Sequence, residues 1–476
     1  MEFNYAYSRD SSVDNAAAET RISLSPDTLR DPTFFSGEVR ASLAFREAIS
    51  ALHDVIVSDF RWHPKDRTAY KQWLARQEEI DWVEAASQRT KAARQVQEVR
   101  RELDELQKHS DRRLQPFSKA RQRYFEYQYQ RDYNWWLVLD PIVTVHPDEV
   151  FFECFSRDES SYGRLGAGFE VFQNVGEFAC GTTNIDYSTD LYHEFQKIRS
   201  YKTTRFEVAP SGFEVQTTGE PAHKEVKIDL PESWGRGFMQ VSSAMALPAT
   251  TFDLHPMDIH NICLVLRRHK EIVGPQAMRY CLHPGQPVKV CFEPWEIEVE
   301  CPRSIYEGET DEEIRVWGRR RIHILERLIP LARRFSVHLP GTGMPSFYVA
   351  DLDGLTFTLG LSGWTTNDWS SAVNFDLLAS QAEVDHETGQ RVFEALKENW
   401  VETPDSLASR LGLDLSVVRR ALASYTQAGR AIWDLNKQAY RLREFSREPL
   451  PMQQLRFSNE REQSATLRRE PERVRI

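Results

Sequence analysis

The sequence predicts an α+β protein in three parts: an N-terminal helical hairpin or coiled-coil arm, a central α+β body and a C-terminal winged helix. Three observations lead there. A stretch free of glycine and proline carries a heptad pattern, a long middle region breaks into short apolar runs, and two short helices near the C-terminus precede a hairpin. With 476 residues there is room for about two to four domains. The expected divisions are a partly flexible segment over 1–60, the arm over 61–132, the body over 133–380, the winged helix-turn-helix over 381–446 and a polar tail over 447–476.

Composition narrows the function classes. Hydrophobic residues make 41% and charged residues 28%, an ordinary globular balance that excludes collagen-like, mucin-like and wholly disordered chains. The net charge of −11 repels DNA and anionic membranes, so any nucleic-acid contact has to be local. Residues 1–21 scatter Glu2, Asp10, Asp14 and Glu19 among Ser and Ala and lack the basic-then-apolar pattern of a secretory signal. The most apolar stretch, Trp135 to Val145, is interrupted by Asp140 and Pro141 and is shorter than the ~20 residues that span a bilayer. Six cysteines (Cys154, Cys180, Cys263, Cys281, Cys291, Cys301) are too sparse for a disulfide scaffold. A cytoplasmic protein with reduced thiols is the expectation.

From Asp66 to Lys108 there is no glycine or proline, and the residues are strong helix formers. Trp82, Ala85, Arg89, Ala92, Val96, Val99, Leu103 and Leu106 alternate three and four apart, the spacing of a coiled-coil seam. Within it Trp82, Val96, Val99, Leu103 and Leu106 are the residues expected to bury against a partner helix, in the same chain or in a second copy. Phe117, Ala120, Tyr124 and Tyr127 continue the register beyond Pro116, which costs an unbroken helix about 3 kcal/mol and so favours a turn at His109 to Pro116. Residues 89–123 hold eleven Lys/Arg against five acids. Such a surface suits nucleic acid or an acidic partner, or is simply a solvated face with i,i+4 ion pairs.

Between Tyr133 and Ser380 short strands alternate with turns. Arg205 to Val208 with Phe213 to Thr217, and Val288 to Phe292 with Glu296 to Glu300, read as hairpins. Asp311 to Phe335 reads as an amphipathic helix with Ile314, Trp317, Ile322, Leu325, Leu328 and Ile329 on one face. The run Phe347 to Leu361 alternates around Asp353-Gly354, a dipeptide that tolerates the positive φ of a type I′ turn. Leu339-Pro340-Gly341-Thr342-Gly343 spells a sortase signal but lacks the terminal apolar segment that signal needs, so it reads as a turn.

His386 to Trp400 is an amphipathic helix. Thr403 then caps a second helix opened by Pro404 and stopped by Gly412, and a third begins near Leu415. Leu407, Ala408, Leu411, Leu415, Val418 and Leu422 supply contacts where the two short helices cross. Ala431 to Trp433 and Ala439 to Leu442 flank Leu435-Asn436-Lys437-Gln438 as a hairpin, completing the order of a winged helix. As a DNA reader the module would offer Ser416, Arg419 and Arg420 from its recognition helix, with Arg430 and Lys437 touching backbone phosphates. As a protein-docking module it needs none of them.

Other constellations have plainer readings. Asp351 and Asp353 suit a cation or a hairpin turn; His255, Asp258 and His260 suit a metal or a helix start. Cys281, His283, Cys291 and Cys301 hold zinc only if their strands adjoin, and otherwise are small buried groups. No G-x-x-x-x-G-K-[ST], G-x-S-x-G or H-E-x-x-H is present, so no catalytic residues, metal ligands or cofactor are assigned.

The run from Phe357 to Ser370 (FTLGLSGWTTNDWS), the helix-turn-helix, and then Ser446-Arg447-Glu448-Pro449-Leu450-Pro451 with Leu455-Arg456-Phe457 resemble bacterial SWIM zinc-finger family proteins over roughly the last third of the chain. The resemblance implies partners of two kinds, a MoxR-type AAA+ ATPase and a von Willebrand A protein. The family's zinc module, Cys-x-Cys then Cys-x-His, has no counterpart, since no cysteine follows Cys301. Zinc is therefore expected only if that module is restored. The function expected is that of a non-enzymatic adaptor. The alternatives are a nucleic-acid-binding regulator using the winged helix and basic arm, and an enzyme hidden in the body.

Overall fold

The computed structural model describes residues 12–15, 19–24, 33–59, 141–184, 192, 195–208, 232–269, 277–363, 368–369 and 384–443. They belong to one compact unit, formed by Met1–Asp59 with Leu139–Ile476; Phe60–Val138 is a separate unit. The seam residues Trp82, Val96, Val99, Leu103 and Leu106, like the basic stretch 89–123 and the polar tail, lie outside the described residues. No helix among the described residues is long and apolar enough to cross a membrane.

In chain order the elements are β1 (Ser12–Asn15), β2 (Glu19–Leu24), β3 (Phe35–Val39), α1 (Ser42–Val57), β4 (Ile142–Val145), β5 (Glu149–Phe155), β6 (Ser161–Gly168), β7 (Phe172–Gln173), β8 (Gly181–Asn184) and β9 (Thr203–Val208). Then come α2 (Glu232–Met245), β10 (Thr250–Leu254), α3 (Pro256–Arg268), β11 (Met278–Leu282), β12 (Pro287–Phe292), β13 (Ile297–Ile305) and β14 (Glu312–Val316). A 3-10 helix (Arg319–Leu328), β15 (Arg334–Leu339), β16 (Ser346–Asp351) and β17 (Leu355–Leu361) complete the body. The C-terminal module holds α4 (His386–Asn399), β18 (Val401–Glu402), α5 (Pro404–Leu411), α6 (Leu415–Gln427), β19 (Ala431–Asp434) and β20 (Ala439–Leu442). The class is α+β.

The spine of the body is an antiparallel sheet ordered β10-β15-β16-β17-β6-β5-β4-β8. The strands β4, β5 and β6 are buried along their whole length, so both faces of that region are covered. On one face lies α1, against β5, β6, β17 and the 3-10 helix. Phe45, Ile49, Leu52, Val55 and Ile56 on α1 have no more than 1% exposure. Within the segment 1–60, expected to be partly flexible, β3 and the inward face of α1 thus belong to the core. The strand β3 pairs antiparallel with β9, and β2 pairs parallel with it. A partner so remote in sequence is invisible to local reading. Leu52→Ala should cost about 2–5 kcal/mol through lost burial and a residual cavity, whereas Leu43→Ala, at a position 40% exposed, should change little; urea titration separates them.

The expected helix over Asp311 to Phe335 is corrected to strand, 3-10 helix and strand. Gly318 adopts φ +80, a left-handed break that ends β14 before the 3-10 helix starts, and Pro330 follows that helix. Ile314 and Val316 face the core from β14 and Ile322, Leu325 and Leu328 from the 3-10 helix, which is why the apolar residues look helically spaced. At the β16–β17 turn Asp353 (φ +62) and Gly354 (φ +91) are both left-handed, as a type I′ turn requires. The segment Phe213 to Thr217 lies outside the described residues.

The module has its own core, with Val392 and Leu396 of α4 against Leu407, Ala408, Val418 and Leu422. Thr403 Oγ1 accepts from the Ser406 amide at 3.2 Å, and Gly412 (φ +65) takes the left-handed C-cap of α5. Asp414 caps α6 by accepting from the Ser416 amide at 2.7 Å. Ile432 and Leu435 leave this core and insert into that of the body.

Candidate functional site

The hairpin β19–β20 meets β4, β5 and β6 through charged side chains withdrawn from water. Arg441 has 0% exposure, and its guanidinium bonds Asp148 twice, at 2.8 and 3.0 Å. Its Nε donates to Asp434 at 2.6 Å and lies 3.1 Å from Glu149. Arg164 pairs with Glu149, approaches Asp434 at 3.6 Å and lies over the Phe151 ring. Arg443, also fully buried, pairs with Glu153 and donates to Ser242 on α2 at 2.9 Å, while Tyr162 donates to the same Glu153 at 2.7 Å. On the outside Lys437 reaches Asp148 at 2.6 Å.

Four cations, Arg164, Lys437, Arg441 and Arg443, thus face four carboxylates, Asp148, Glu149, Glu153 and Asp434. Neutrality makes the burial tolerable, because an unmatched charge here would carry its full desolvation cost. Burial pushes the Asp434 carboxyl up, but Arg164 and Arg441 outweigh it and bring the pKa down to about 2. Burial acts against Asp148 in the same way, and hydrogen bonds from Arg441 and Lys437 hold it well below the carboxylate range. His146 is driven down to about 3, first by burial and then by the Arg441 charge, so it is neutral at pH 7. Its Nε2–H donates to the Leu442 carbonyl at 2.6 Å, which leaves Nδ1 to accept from Arg441 at 3.3 Å.

Beside this joint runs a cleft of about 670 Å³. One wall is the end of α2, the loop Ala246 to Ala249, Thr251 and His338; the other is α6 with Trp433, Leu435, Gln438 and Tyr440. Val418, Ala421 and Leu422 turn inward to the module core, so the opposite face of α6, carrying Arg419, Arg420 and Ala423, looks across the cleft at the body. A space of this size suits a small molecule, not a duplex.

The five residues proposed from sequence for nucleic acid are distributed unevenly. Ser416 and Arg419 are exposed on α6, and Arg420 is half-buried at the cleft. Arg430 lies 4.7 Å over the Phe393 ring, and Lys437 is committed to Asp148. Sequence alone does not single out Arg441, Arg443, Arg164 or their carboxylates. The available signal is Arg441 within the short, otherwise apolar strand β20, with Arg443 two positions on, just past the strand end.

The remaining constellations do not converge. On β11 and β12, Cys281 and Cys291 sit on the face away from Met278, Tyr280, Val288 and Val290, whereas Cys301 is buried in the core opposite Val288. His283 pairs with Asp311 at 3.0 Å. His255 caps α3 by accepting from the Met257 amide, and Asp258 accepts from Ser304 at 2.6 Å. Asp351 and Asp353 face Arg334 and Arg333. Among the described residues, Cys263, His323 and Glu326 form a tight group of metal-ligand types, but Glu326 is already engaged by His323 at 2.9 Å and Arg267 at 3.0 Å. Burial also pushes the Cys263 thiol far up.

Comparison with models of known protein families finds no match, and no curated protein matches. Among solved structures the chain is similar to Proliferating Cellular Nuclear Antigen from Entamoeba histolytica, with 9% identity, a TM-score of 0.37, and coverage of 69% of this chain and 98% of that one. It is also similar to a chain in the structure of the C-terminal region of FEN-1 bound to A. fulgidus PCNA, with 11% identity, a TM-score of 0.32, and coverage of 48% of this chain and 90% of that one.

Proposed function

We propose that this protein is a non-enzymatic interaction protein in which residues 384–443 form a winged helix held on the α+β body and used for protein contact. The observation that carries the reading is the orientation of α6. The side of α6 that carries Arg419, Arg420 and Ala423, part of the surface a DNA reader would lay in the major groove, lines the cleft across from the body while Ser416 and Arg419 keep solvent exposure, and the ionic joint holds the module in that position. Reading a duplex with this helix would require undocking, which would strip several buried charges of their partners. The SWIM-family resemblance supplies the partner class, a MoxR-type AAA+ ATPase together with a von Willebrand A protein.

The test mixes the full chain with the MoxR-type ATPase and von Willebrand A protein of its source organism and, separately, with a DNA duplex at low salt, where counterion release favours binding most. The expected result is a protein complex and no retained duplex. If instead DNA is retained with a salt slope near about −3, and Arg419→Glu with Arg420→Glu abolishes retention, the chain is a nucleic-acid-binding regulator. Neither complex nor retention would sink both readings.

A further inference from the structure

The cleft beside the joint contains polar groups that the protein satisfies only in part. The Arg420 charge is felt by Asp414, the N-cap of α6, but at no ion-pairing distance. Among the described residues, neither Arg419 nor Arg420 has a carboxylate at ion-pairing distance, unlike the arginines of the joint, and the buried Arg420 Nε has no hydrogen-bond partner. His338 lines the opposite wall at 5% exposure. Its Nδ1 lies 3.3 Å from the Thr251 hydroxyl, and its Nε2 is unpartnered. A buried polar atom without a partner carries a desolvation cost that a ligand can relieve.

The chemistry of the lining is divided. Asp405 is the sole carboxylate among the lining residues, so two guanidiniums leave the wall net positive. Trp433 and Tyr440 supply aromatic surface with ring centroids 4.7 Å apart, and Met245, Leu247, Pro248 and Leu435 add apolar contacts. A guanidinium matches a phosphate in shape as well as charge, and flat rings pack well on Trp and Tyr. The volume of about 670 Å³ falls inside the ~300–1,000 Å³ of small-molecule sites.

We propose that the cleft between α6 and the body binds a small organic phosphate bearing a planar ring, a nucleoside monophosphate in size and chemistry. Arg419 and Arg420 take the phosphate, the aromatic and apolar residues take the ring, and His338 hydrogen-bonds a polar group of the ligand. Because the walls come from both the body and the module, such a ligand would bridge the two. The site does not depend on the identity of any protein partner.

Calorimetric titration of the full chain with AMP, GMP, CMP and UMP, set against adenosine and inorganic phosphate, tests the assignment. At least one monophosphate should bind about tenfold or more tighter than either fragment. Arg419→Gln with Arg420→Gln should weaken that binding by about tenfold per guanidinium without altering the unfolding transition. Ala423→Trp, which fills the cleft and keeps both charges, should weaken it as well and decides the matter if the double variant does not fold. Binding by no monophosphate, equal affinity for phosphate alone, or undiminished affinity in the folded variants overturns the proposal.

Discussion

Arg441→Ala is expected to lower the opening free energy of the β19–β20 hairpin by about 3–5 kcal/mol. The substitution removes a cation that faces Asp148, Glu149 and Asp434 at once and leaves those carboxylates with only Arg164 and Lys437. It also deprives His146 Nδ1 of its donor. The cost is mostly that of stranded charge, so it exceeds what the intact ion pairs contribute relative to an apolar filling of the same volume. Lys437→Met tests the reasoning from the other side. Its pair with Asp148 is short but 44% exposed at the lysine, and exposed pairs contribute about 0–1 kcal/mol. Hydrogen exchange of the amides in 431–442 reads both effects. Equal protection in the wild type and Arg441→Ala would show that the hairpin is held by Ile432 and Leu435 alone and that the ionic joint carries no weight.

How much of this was legible in the sequence follows from the range of the forces involved. The turn at Asp353-Gly354 and the stop at Gly412 are local demands on φ, which a dipeptide or a single glycine reveals. The apolar spacing of α5 and α6 is equally local. The strand β3 is not local, because its neighbour β9 is more than a hundred residues away and its own length is only five residues. The segment Asp311 to Phe335 misleads for another reason: strand and 3-10 helix each bury apolar residues, and their combined spacing imitates an amphipathic α-helix until Gly318 is recognised as a break. The joint was least legible of all. Arg441 and Arg443 lie almost 300 residues from Asp148 and Glu153, and a charge at a strand position reads as solvent-facing until the sheet that covers it is known.

Acidification should destabilise the body-and-module unit steeply well before its carboxylates titrate, and the cause is two buried histidines. Burial and the Arg441 charge bring His146 down to about 3, and burial brings His338 down to about 4, from an ordinary value near 6.5. Both are neutral when folded, whereas in the unfolded chain both take up a proton as pH falls through 6.5. The stability they contribute is therefore fully present above pH 6.5 and is lost between 6.5 and their folded values. Well below 6.5 each removes about 1.4 kcal/mol per pH unit, so the pair removes on the order of 5 kcal/mol by pH 4.5. Asp434, held at about 2, extends the loss below pH 3.8, because the fold favours its charged form, whereas it favours the neutral form of the histidines. Asp54 acts in the opposite sense: burial raises its pKa above the ordinary carboxylate value, so the folded chain takes up this proton ahead of the unfolded one and offsets part of the loss. Urea titrations at successive pH values measure the slope directly. The double variant His146→Gln and His338→Gln, which has no imidazole to protonate at either place, should flatten the curve between pH 6.5 and 4.5 even if it starts from lower stability. A wild-type curve already flat over that range, or a slope unchanged in the double variant, would mean that neither ring is held neutral by its surroundings, and the tautomer assigned to His146 beneath Arg441 would fall with it.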